Sequence, residues 1–133
     1  MTGPRYSDTP ATAGPAPALL ADGLLAERLA LSVPERTRVV VARYDIPPGG
    51  SLPWHYHDGR VVAVVTAGTL TRTLADGSEC VTPTGECIVE PVGPQGVHRA
   101  ENRGDDLLTL HAVFFVPRDS PLATSAPPPD GLT

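Results

Sequence analysis

Three of the four histidines in this 133-residue chain have positions from which they can meet at one point. His55 and His57 stand two apart, so on an extended strand their rings share a face while Trp54 and Tyr56 take the other. Imidazole is the commonest metal-binding side chain, and a His-x-His pair on a strand presents two neutral nitrogens at the same mouth of a sheet. Taken alone, such a pair is more readily read as chance on a sheet surface. A third imidazole from a different strand would complete a facial set and leave positions for water or substrate, as a catalytic rather than a structural site requires. His98 is the candidate: it shares its side of residues 97–102 with Ala100 and Asn102, while Arg99 and Glu101 alternate onto the other.

Two further residues bear on the same chemistry. Arg72 alternates with Leu70 and Leu74 against a threonine face. If the leucines point inward, its guanidinium enters the interior and can pair with a carboxylate or enolate of a substrate; the alternative is an arginine snorkelling from a strand end. His111 shares a face with Thr109, Val113 and Phe115, and is a candidate fourth ligand or general base, with a hydrogen-bonded structural histidine as the competing reading.

Strands must carry these residues. Sixteen prolines and thirteen glycines argue against long helices. Short runs of β-branched residues alternate with turn signals at Pro47-Pro48-Gly49-Gly50, Asp58-Gly59, Ala67-Gly68, Asp76-Gly77 and Arg103-Gly104-Asp105. They predict strands over 37–46, 51–57, 61–66, 69–74, 79–82, 87–90, 97–102 and 107–116, an all-β meander that closes as a small barrel or sandwich. The stretch 19–31 has no clean period and reads equally as a short helix or a strand added to a sheet edge. Residues 1–17 and 118–133, rich in Pro, Ala, Ser, Thr and Asp, hold too few large apolar groups to offset the entropy of ordering them, so both ends are expected to be mobile tails around one domain at 18–117.

Composition narrows the partners. The formal charge is −5 and all ten basic residues are arginines scattered singly, so there is no basic face to track nucleic acid. The apolar runs fall far short of the roughly 20 residues that cross a bilayer, and the first residues lack the order of a secretory signal, which together point to the cytoplasm. Cys80 and Cys87 are too few for a disulfide scaffold and lack Cys-x-x-Cys spacing; they are read as idle thiols, with a bridge between them as the alternative.

The flanks of the histidines sharpen the reading. The segment from Gly49 through Pro53-Trp54-His55-Tyr56-His57-Asp58-Gly59 to Gly68 resembles the first sequence motif of the cupin superfamily. Gly85-Glu86-Cys87-Ile88-Val89-Glu90-Pro91, followed by Gly93, His98 and Asn102, resembles the second motif with two extra residues before the histidine. The resemblance implies a cupin-type β-barrel (double-stranded β-helix, or jelly roll) in which His55, His57 and His98 bind one divalent metal ion: iron(II), zinc, nickel or manganese. It also implies a homodimer.

One ligand of the family pattern is missing. Counting back from Gly68, Val61 stands where the family has a ligand glutamate, and valine cannot bind a cation. A three-histidine site would carry one more positive charge than the four-ligand version, which favours an anionic or enolate oxygen in the open position, with Val61 part of the wall that meets the substrate. Glu90, just before Pro91, is a candidate replacement carboxylate, with a solvated strand-end glutamate as the competing reading. The function this implies is a metal-dependent enzyme on a small carbonyl- or enol-bearing substrate, a dioxygenase or a cyclase or isomerase of bacterial secondary metabolism. The alternative is a non-catalytic small-molecule-binding or sensor protein.

Overall fold

Alternation of apolar and polar residues along short segments makes strands whose one face is buried. The computed structural model describes residues 14–133. The elements run β1 (Leu24–Leu25), β2 (Arg38–Ile46), β3 (Ser51–Tyr56), β4 (Arg60–Ala67), β5 (Thr69–Thr73), β6 (Glu79–Pro83), β7 (Glu86–Glu90), a 3-10 turn (Pro94–Gly96), β8 (His98–Glu101), β9 (Leu108–Val116) and β10 (Thr124–Ser125). They form two five-stranded sheets, one in the order β1-β7-β4-β9-β2 and the other β10-β3-β8-β5-β6.

The core is built from the inward faces. Val61, Ala63 and Val65 of β4 and Leu108, Leu110, Ala112, Phe114 and Val116 of β9 are buried from the first sheet, and Leu70 and Ala100 meet them from the second. The chain crosses between the sheets in tight turns, and two glycines there show why only hydrogen fits. At Gly59 a Cβ would collide with the Phe115 carbonyl oxygen; Gly68, with φ at 73°, would place one 2.6 Å from the Leu107 carbonyl oxygen. Asn102, wholly buried, donates to the carbonyls of Ile46 (2.9 Å) and Asp106 (2.7 Å) and accepts from the Gly104 amide (3.0 Å), tying the loop after β8 to the end of β2.

The C-terminal segment is the main departure from expectation. Most of the stretch 1–17, expected to be a mobile tail, lies outside the described residues, which begin at Gly14. The open stretch 19–31 resolves in favour of a strand at a sheet edge, since β1 pairs in parallel with β7. Residues 118–133, also expected to be a mobile tail, instead dock: β10 pairs antiparallel with β3, Leu122 packs on the core, and the chain then crosses to Trp54 and Arg99, both of which donate to the Thr133 carbonyl. Composition undervalued this segment because main-chain groups, offered an open sheet edge, supply the binding that its side chains lack. Cys80 and Cys87 are free thiols. Among the described residues no helix is long and apolar enough to cross a membrane.

Candidate metal centre

The three histidines converge. Ring centroids lie 4.5 Å apart for His55 and His98, 4.9 Å for His55 and His57, and 5.1 Å for His57 and His98, and one ring nitrogen from each lies within 4.8 Å of the others. His55 and His98 face each other directly across the β3–β8 ladder. A bulge between Leu52 and His55 changes the inward parity of β3, so that both of these residues, three apart, line the same cavity. Strict alternation along β3 would have sent one of them outward.

The main chain sets the tautomer of all three rings. Nδ1 of His55 bonds the Pro53 carbonyl at 2.6 Å, Nδ1 of His57 bonds the Leu122 carbonyl at 2.8 Å, and Nδ1 of His98 bonds the Gly96 carbonyl at 2.7 Å. A carbonyl can only accept, so each Nδ1 carries a proton, and in the neutral ring each Nε2 presents a lone pair. Nε2 of His98 is wholly buried with no hydrogen-bond partner. An orphaned buried acceptor, aimed at two more of its kind, fits a bound cation. Burial holds the pKa of His55 and of His57 below the usual imidazole value, which favours the neutral form a ligand needs.

Beside the histidines lies a cavity of about 240 Å³ between the two sheets. Its walls are mostly apolar, including Val61, Ala63, Leu70, Leu110 and Phe114, with Tyr44, Glu90 and Ser125 contributing polar groups. Val61 is thus one of the lining residues. Arg72 enters the interior but stops behind the cavity, where its Nη1 pairs with Glu90 Oε2 at 3.3 Å. There it is placed to hold Glu90. Glu90 Oε2 also lies 3.2 Å from His98 Nε2.

His111 does not join the group. The inward face of β9 is Leu108, Leu110, Ala112 and Phe114, so His111 points out through the sheet and bonds the Thr66 hydroxyl at 3.2 Å. The candidate role as fourth ligand or general base is corrected to a structural one, because strand parity puts the whole sheet between it and the other three rings.

Two contributors escaped the sequence reading. Tyr44 lines the cavity and packs against Phe114; its inward parity with Ala42 and Ile46 was the available signal. Burial raises its phenol pKa, so the hydroxyl keeps its proton. Residues 122–125 supply the carbonyl behind His57 and, through Ala123 and Ser125, part of the cavity wall. No local pattern marks them.

Comparison with known proteins agrees with this fold. The cupin domain family matches residues 42–114, just over half of the chain. Among solved structures, an uncharacterized conserved protein with a double-stranded β-helix domain from Klebsiella pneumoniae superposes with a TM-score of 0.59 at 23% identity, over 71% of this chain and 75% of that one. The polyketide cyclase RemF from Streptomyces resistomycificus superposes at 0.57 with 24% identity, over 69% and 63%. A predicted oxalate decarboxylase from Thermotoga maritima gives 0.52 and 25%, over 59% and 66%. Among curated proteins none matches this sequence.

Proposed function

The chain belongs to the cupin family, and from that premise we propose that it is a metal-dependent enzyme acting on a small organic substrate that offers a carbonyl or enol oxygen. The observation that carries the reading is the set of three Nδ1–carbonyl bonds, which turn the Nε2 lone pairs of His55, His57 and His98 toward one another. A divalent ion held there, iron(II), zinc, nickel or manganese, supplies Lewis acidity toward such an oxygen and, in the case of iron, oxygen chemistry.

The chain's own residues do the rest. Val61, Leu110 and Phe114 give the substrate an apolar wall, and the protonated Tyr44 hydroxyl is a donor among the lining residues. The names of two similar structures, a polyketide cyclase and a predicted oxalate decarboxylase, refer to oxygen-bearing organic substrates and support this class. A ring-closing, isomerising or oxygen-adding reaction in bacterial secondary metabolism is the finer reading. Exposed Val39 and Val41 on β2, an edge strand, support a homodimer, and the reading places the protein in the cytoplasm.

The test is metal analysis of natively purified protein beside a His55→Ala, His98→Ala variant. Near-stoichiometric metal that the variant loses is the expected result. Wild type that is metal-free and resists reconstitution overturns the enzyme reading in favour of a small-molecule-binding protein.

A further inference from the structure

We propose that Glu90 is the carboxylate of the metal centre, supplied from β7 in place of the one that Val61 lacks on β4, and clamped there by Arg72. The inference rests on the three-histidine reading above.

Val61 and Glu90 are direct partners in the β4–β7 ladder, and both line the cavity. Paired residues on one face have Cβ atoms about 5 Å apart, so a carboxylate at either position reaches the same space. Relative to the family pattern, the charge has moved one strand sideways rather than vanished.

The surroundings of Glu90 fit this role. Its Oε2 is 3.2 Å from His98 Nε2, yet His98 carries its proton on Nδ1, bonded to the Gly96 carbonyl. In the neutral ring that a metal ligand requires, two lone-pair atoms then face each other in a buried interior, with Nε2 left without a hydrogen-bond partner. A cation satisfies both. Glu90 stands outside the cluster of three ring nitrogens and approaches from the side of His98. Arg72, itself buried, holds the other side of Oε2 at 3.3 Å. Its positive charge cancels that of the carboxylate, so the site as a whole keeps the attraction for an anionic oxygen that a purely histidine set would have.

Titration with cobalt(II) against a competing chelator tests this without any substrate. Glu90→Gln keeps the volume and is expected to weaken cobalt(II) binding by about 10- to 100-fold and to change the visible ligand-field spectrum. The double variant Val61→Glu, Glu90→Val, with folding checked by its thermal melt, is expected to regain most of the affinity. Glu90→Gln binding within about twofold of wild type with an unchanged spectrum overturns the inference, as does a folded double variant no tighter than Glu90→Gln. His98→Ala separates the two readings. If it abolishes binding while Glu90→Gln does not weaken it, the histidine site stands and only the role of Glu90 falls; if wild type binds no cobalt(II), both fall.

Discussion

Nδ1 of His57 bonds the main-chain carbonyl of Leu122 at 2.8 Å, across 65 residues of sequence. One ring of the metal centre is thus oriented by the segment that follows the last strand of the first sheet. Deleting residues 118–133 removes that carbonyl together with the wall formed by Ala123 and Ser125. The expected outcome is metal affinity lower by about 10- to 100-fold, measured by chelator competition, with the barrel still melting cooperatively. Unchanged affinity would show that the segment does not orient His57.

Acid should act on the metal-free protein through His55 and His57. Burial lowers both pKa values in the folded state, so below the usual 6.5 the unfolded chain binds more protons than the folded one. Their contribution to stability is complete above pH 6.5 and is lost as pH falls from there through the lower folded values. The melting temperature of the apo protein should therefore drop on going from about pH 7 to 5, less steeply in a His55→Ala, His57→Ala variant. Bound metal should be released below about pH 6, and undiminished affinity at about pH 4 would contradict histidine ligation.

Chelation should lower the melting temperature without abolishing the transition. The core of Val65, Leu70, Leu108, Phe114 and Val116 lies between the sheets independently of any ion, so metal adds to folding by mass action alone. Calorimetry before and after treatment with chelator checks this, and a chelated sample with no cooperative melt would mean that the ion is part of the fold.

Asn102→Ala should cost about 2–4 kcal/mol in denaturant unfolding. It leaves the buried Ile46 carbonyl without its partner and removes the bonds that hold Asp106 and Gly104 of the following loop. A loss below about 0.5 kcal/mol would show that the loop finds other partners.

Much of this protein is local and so was legible in the chain. Alternation and turn residues act over a few positions, which is why eight of the strands and the shared face of His55 and His57 could be drawn from the sequence, and why the two cupin-like motifs pointed to His98. The remainder depends on contacts between distant segments. The bulge in β3, the docking of residues 118–133 at a sheet edge, the outward turn of His111 and the Arg72–Glu90–His98 chain each arise from which strands become neighbours. Residue type and spacing decide which side chains can bind a cation; strand pairing decides which of them arrive, because only in the closed double sheet do side chains dozens of residues apart come within a bond's reach of one another.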